Sequence, residues 1–183
     1  MFFYCSKLQS VTFPDGSLTN VYTASSTFQN CNSLSSITFP NGAFTQVTSM
    51  QSCFEGCSHL QSITFPTGAL TQVTNIQNCF DGCVYLTSIT FPDGALTQVV
   101  YPIDCFKNCS SLQTLNILTL PEINLYRIGF SFCTSLTPES LMSIIEALPN
   151  TTKGYTCTIG TTNLSKLSSD QILIATNKGW TLN

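Results

Sequence analysis

Ten cysteines in 183 residues are the densest supply of chemistry in this chain. Thiols can ligate metal, pair as disulfides, act as nucleophiles, or fill a core as small apolar side chains. Three C-x3-C pairs, Cys53/Cys57, Cys79/Cys83 and Cys105/Cys109, resemble half of a zinc site. Each copy, however, sits beside a Phe that suits a core, and the pattern carries no His. The one histidine, His59, falls in the x-x of a C-x-x-L element and reads as an exposed corner residue. A Ser–His–Asp or Cys–His site needs partners converging on that ring, and the corresponding positions of other copies supply none. The carboxylates Asp15, Glu55, Asp81, Asp93, Asp104 and Glu122 are scattered. Asp15 and Asp93 occupy a P-x-G turn where Asn41 and Thr67 also occur, which is turn chemistry rather than an acid/base pair. There is no glycine-rich phosphate loop. The expectation is no enzyme, no cofactor and no metal.

The elements that place these residues repeat. F-x-x-C-x-x-L occurs six times, from Phe2/Cys5/Leu8 to Phe130/Cys133/Leu136, with Cys-to-Cys steps of 26, 26, 26, 26 and 24. Residues 57–82 and 83–108 are identical at 15 of 26 positions without a gap. Within a unit, L-x-S-I-T-F alternates apolar and polar side chains, the period of a half-buried strand. Leu60, Ile63 and Phe65 should point inward, and Ser62 and Thr64 outward. Pro66 and Gly68 then punctuate a turn, and Leu70, Val73 and Ile76 form a second apolar set. One unit cannot bury its apolar face alone, so copies must stack at about 4.8 Å per strand. That places Phe54 over Phe80, Ile63 over Ile89 and Phe65 over Phe91.

Stacking also decides the cysteines. Cys5, Cys31, Cys57, Cys83, Cys109 and Cys133 share one repeat position, so they should form a ladder of small buried free thiols. Disulfides and metal are the alternatives. Cys157 stands alone and carries no reading.

The motif a-F-x-x-C-S-S-L-x-S-I-T-x-P resembles the BspA-like (Treponema-type) leucine-rich repeats. CNSLSSITFP (31–40), CSHLQSITFP (57–66) and CSSLQTLNI (109–117) carry the resemblance, which covers roughly residues 1–136. Family members often have Ala before the Phe. Here Cys53, Cys79 and Cys105 stand there, and a small buried residue is expected in either case. The resemblance implies an α/β-type repeat solenoid, a right-handed superhelix with one parallel sheet, mostly β with short corners. It also implies a cell-surface or extracellular location and adhesion to, or binding of, a host protein or glycan.

After Leu112 the repeat fades. Residues 113–121 still read as a strand, and Phe130/Cys133/Leu136 as a last corner. Thr137-Pro138-Glu139 then has the form of an N-cap, a first-turn Pro and a first-turn acid. Leu141, Ile144, Ile145 and Leu148 follow at helical spacing up to Pro149. Ser168-x-x-Gln171 is a capping box, opening a short helix with Ile172, Ile174 and Ala175 that stops near Gly179. Thr156–Ile159 and Trp180–Leu182 read as short strands. The expected division is a solenoid over 1–136 and a small helix-containing C-terminal cap over 137–183.

Charge excludes one partner class. Only 8% of residues are charged, the net charge is −3, and the six basic residues never cluster. Nucleic acid needs clustered Lys and Arg. No run of 18 or more apolar residues exists, so no transmembrane helix is expected. Met1-Phe2-Phe3-Tyr4 lacks the basic start and apolar run of a signal peptide, so the chain reads as intracellular or as a piece of something longer, and the repeat phase favours the second.

The surface with organised chemistry is the outward row of the strands: Ser10/Thr12, Ser36/Thr38, Ser62/Thr64, Ser88/Thr90 and Thr114/Asn116, bordered by Gln9, Ser35, Gln61, Thr87 and Gln113. It could be a groove for a protein or glycan. Equally, Thr and Ser simply suit a solvated strand face, and near-identical copies favour that reading. The alternatives are a structural spacer and a Ser/Thr array for glycan or ice. At the other end, Phe2, Leu8, Val11, Phe13 and Leu18 should face water on the open side of the first unit. That predicts further repeats upstream or end-to-end self-association through residues 1–25.

Overall fold

The computed structural model of the chain describes residues 1–117, 119–122 and 128–183. Two readings touch residues outside that set: the strand over 113–121 includes Leu118, and the scatter of basic residues includes Arg127. Each 26-residue unit contributes one three-residue strand: β1 (Ser10–Thr12), β2 (Ser36–Thr38), β3 (Ser62–Thr64), β4 (Ser88–Thr90) and β5 (Thr114–Asn116). The strands are parallel and offset by one repeat, so that Ile63 pairs with Ile89 and Ile89 with Leu115. The central side chain of each strand turns inward, and Ile37, Ile63, Ile89 and Leu115 are buried.

The ladder is divided into β1–β2 and β3–β4–β5. The link left between β2 and β3 is the Gln61 N–H donating to the Ser35 carbonyl at 3.4 Å. Strands of three residues share few bonds with a neighbour, so a small lengthening interrupts the ladder without separating the units. A second file of backbone bridges runs on another side of the coil, through Thr23, Ser49, Asn75 and Tyr101.

Aromatic columns fill the interior. Phe2, Phe28, Phe54, Phe80, Phe106 and Phe130 stack with ring centroids 5.2–5.9 Å apart and planes within 11°. Phe39, Phe65 and Phe91 form a second column with 5.6 Å spacing. The repeat forces like over like, and the offset between units keeps rings from a face-to-face sandwich. Each buried ring contributes about 2–3 kcal/mol.

Each corner positions a thiol. The Cys31, Cys57, Cys83 and Cys109 S–H groups donate to the carbonyls of Phe2, Phe28, Phe54 and Phe80 one unit back, at 3.0–3.1 Å. A small side chain with a weak donor therefore fits both the space and an acceptor. All ten thiols are free; nine are buried, Cys157 among them, and Cys53, Cys79 and Cys105 occupy the small buried position expected of them. Cys5 departs from the ladder reading. It lies on the outermost corner and is exposed. Burial raises the pKa of the nine enclosed thiols, so the reactive thiolate is scarce. Under native conditions a thiol reagent should therefore modify Cys5 alone, and all ten after denaturation without reductant. Four or fewer in denaturant would mean disulfides and would end the ladder account.

The C-terminal part packs against the last repeat strand. Helix α1 (Pro138–Ala147) starts at Thr137, whose hydroxyl accepts the Ser140 N–H. Its serines satisfy the last repeat strand: Ser140 Oγ accepts the Leu115 N–H at 3.2 Å, and Ser143 Oγ donates to the Ile117 carbonyl at 3.1 Å. A short helix α2 (Thr161–Leu164), absent from the sequence reading, carries the fully buried Asn163. Its amide donates to the Phe130, Cys133 and Ile159 carbonyls. Helix α3 (Ser169–Asn177) has the expected capping box. Within it Ala175 is buried, Ile172 half-buried and Ile174 37% exposed. Strands β6 (Tyr155–Cys157) and β7 (Trp180–Leu182) pair in parallel. The first lies one residue earlier than expected and ends two residues sooner.

At the other end, Phe2, Leu8, Val11, Phe13 and Leu18 are half-buried against the core rather than fully open to water.

Candidate binding face

The strand pleat sends Ser and Thr out wherever Ile goes in. The outward row is therefore two files in register: Ser62, Ser88 and Thr114 in one, Thr64, Thr90 and Asn116 in the other. Ser10 and Thr12 align with Ser36 and Thr38 in the same way. Nine of these ten side chains are exposed and Ser88 is half-buried. The Ser62, Thr64, Ser88 and Thr90 hydroxyls enter none of the side-chain hydrogen bonds among the described residues. They are free to bond water or a ligand.

The bordering file behaves differently. Ser35 Oγ donates to the Gln9 carbonyl at 3.1 Å, and Thr87 Oγ1 to the Gln61 carbonyl at 2.9 Å. These hydroxyls bond the unit before and hold the stack. Hydroxyls within the same repeat thus serve two ends, one structural and one open to solvent.

Beside the row runs a cleft of about 450 Å³ lined by His59, Gln61, Tyr85 and Thr87. The Asn32 carbonyl accepts from the His59 backbone N–H at 3.2 Å and from His59 Nδ1 at 2.7 Å. A carbonyl only accepts, so Nδ1 carries the hydrogen and the ring is fixed in orientation. Tyr85 lies one unit further on, its ring 5.6 Å from the imidazole and tilted by 48°. Sequence reasoning placed His59 correctly at an exposed corner but did not see this pairing. The available signal was the departure from Ser at that position, where Ser33 and Ser111 flank His59 and Tyr85.

A second groove, about 420 Å³, lies where β5 meets α1 and is lined by Thr114, Asn116, Glu139 and Ser143 among others. Glu139 has its pKa lowered, first by its own backbone N–H and then by the Thr137 hydroxyl. The scattered carboxylates stay apart in role: Asp81 accepts from Asn108 Nδ2 at 2.9 Å, Asp104 pairs with Lys107 at 3.5 Å, and Glu122 with Lys153 at 3.4 Å. Among the described residues no three His, Cys, Asp or Glu side chains gather to hold a metal. No helix among them is long and apolar enough to cross a membrane.

Comparison with known proteins matches the model of the BspA type leucine rich repeat region in six copies, over residues 1–99 and 51–170. No curated protein matches the chain. Similar solved structures include a leucine rich cell surface protein from Faecalibacterium prausnitzii, with 21% identity, a TM-score of 0.42, and coverage of 64% of this chain and 33% of that one. A leucine rich repeat protein from T. pallidum has 19% identity and a TM-score of 0.42, covering 80% and 73%. A leucine-rich repeat protein from Bacteroides ovatus has 15% identity and a TM-score of 0.27, covering 86% and 68%. The chain spans about a third of the F. prausnitzii protein's length.

Proposed function

The chain belongs to the BspA-type leucine-rich-repeat family, and from that premise we propose that it is a non-catalytic binding module of a cell-surface protein. Its contact is the outward row from Ser10/Thr12 to Thr114/Asn116, and its ligand is a host protein or glycan. The observation that carries this is the in-register pair of hydroxyl files, exposed and unbonded beside hydroxyls that do hold the stack. A solvated strand face needs no such division of labour. In the same reading, residues 1–136 are the binding solenoid and 137–183 its cap. The Ser140 and Ser143 bonds to the last repeat strand support that division.

The near-identity of neighbouring units supports a second reading, a spacer that holds another domain at a distance. A test separates the two. The chain is presented to immobilised extracellular-matrix proteins and glycans, beside the double variant Thr64→Lys, Thr90→Lys. Both substitutions are on exposed positions and should leave the fold intact by circular dichroism. Binding to at least one ligand, weakened about tenfold or more in the variant, supports the face. Equal binding by both proteins, or none by either, removes the face and leaves the spacer.

A further inference from the structure

In a repeat protein, what the scaffold requires recurs, and what does not recur is free of that requirement. The corner position before the unit's Leu is Ser in the second and fifth units, as Ser33 and Ser111. His59 and Tyr85 replace it in the two units between. The scaffold does not need either ring, since Ser satisfies the same corner. Tyr85 is 58% exposed, so its ring does not serve the core either.

The two rings are organised. His59 is held by its Nδ1–H bond to the Asn32 carbonyl, which leaves Nε2 as an acceptor whenever the ring is neutral. Gln61 uses its backbone carbonyl to accept from Thr87, while its side-chain amide is unbonded among the described residues and offers a donor and an acceptor together. Thr87 Oγ1, having donated, retains acceptor capacity. Among the described residues no Asp, Glu, Lys or Arg lines the cleft. The cleft volume of about 450 Å³ falls in the range of small-ligand sites, about 300–1,000 Å³. It is open to solvent, and two of its lining residues, Gln61 and Thr87, directly precede Ser62 and Ser88 of the outward row in the chain.

We infer that the His59–Gln61–Tyr85–Thr87 cleft is a subsite for an uncharged saccharide. This rests on the reading of the strand face as a binding surface and names the ligand class for one part of it. A pyranose presents a face of C–H bonds and a rim of hydroxyls. The negative face of the Tyr85 ring attracts polarised C–H groups. The Nε2, amide and threonine oxygen atoms suit hydroxyls, which both donate and accept. An acidic glycan would find no cation in the lining, and a peptide would find no enclosed apolar pocket for an anchor side chain. An open cleft beside a long polar row suits one unit of a longer chain.

Saturation-transfer NMR with the full chain tests this, using cellohexaose, xylohexaose, mannohexaose and chitohexaose as probes at millimolar concentration. Binding of at least one probe should fall about tenfold or more in Tyr85→Ala, persist in Tyr85→Trp, and stay unchanged in Tyr101→Ala, an exposed tyrosine on the other bridge file. Gln61→Ala should weaken it less. No binding of any probe, or binding that Tyr85→Ala leaves intact, overturns the inference. If the Thr64→Lys, Thr90→Lys variant still loses an immobilised protein ligand in that case, the face survives and the saccharide subsite alone fails. Loss of an unglycosylated protein ligand in Tyr85→Ala, with no sugar bound, makes the occupant a polypeptide and equally overturns it.

Discussion

Raising the pH about one unit above the ordinary thiol pKa should unfold this protein cooperatively, at ordinary temperature and without denaturant. The nine buried thiols all have their pKa raised, with desolvation as the first cause in each. Cys57, Cys133 and Cys157 are pushed up to about 12. In the ladder a neighbouring thiol adds to the rise, as Cys31 does for Cys57. The folded chain therefore keeps protons that the unfolded chain has lost. Stability falls with pH wherever the folded state binds more protons. The contribution is complete below the unfolded thiol pKa and disappears as pH climbs toward the folded values. Each thiol accounts for about 1.4 kcal/mol per pH unit in that window. Eight together, Cys31 set aside, reach on the order of 10 kcal/mol after one unit, which matches the whole stability of a typical domain. Circular dichroism and thiolate absorbance, followed together under reductant from neutral pH upward, should change in a single transition about one to one and a half units above the ordinary value. Replacing Cys57 and Cys83 by Ala should flatten the slope by two protons. A chain that stays folded at a pH where its thiols absorb as thiolates would show that the ladder ionises in place, and burial would not be the controlling factor.

Phe80→Ala should destabilise the fold by about 3–5 kcal/mol, through lost transfer free energy plus the cavity between its neighbours. The ring stacks on Phe54 at 5.5 Å and on Phe106 at 5.9 Å, and it meets Phe91 edge-on at 6.5 Å. No flanking unit can close over the gap without breaking its own register. Thr90→Ala, on the exposed file, should cost well under about 1 kcal/mol. Urea unfolding of the two variants beside the parent measures both. Equal costs would mean that the strand faces are inverted. A wide gap between them would still leave the binding reading to its own test.

Much of the fold was legible because repetition and alternation are properties of the chain itself. The step of 26 residues determined which side chains stack, so Phe54 over Phe80 and Ile63 over Ile89 needed no three-dimensional information. The two-residue period separated Ile63 from Ser62 and Thr64. The caps of α1 and α3 were readable because an N-cap bond closes within three residues.

What remained belongs to contacts between units. Leu18, Phe44, Leu70 and Leu96 sit in left-handed backbone, with φ of 61–67°, a conformation that costs a residue with a Cβ about 1–2 kcal/mol. Local preference argues against it. Burial of Phe44, Leu70 and Leu96, about 2–3 kcal/mol each, outweighs the strain once a neighbouring unit is in place. In α3, too, helical spacing supplies candidates, and the neighbouring surface selects Ala175 among them for burial. The thiol-to-carbonyl bonds, the Asn163 tie and the His59–Tyr85 pairing each join residues 26 to 33 positions apart. Periodicity states that such residues are neighbours. Only the tertiary packing decides which of their polar atoms are used up in holding the stack and which are left facing solvent.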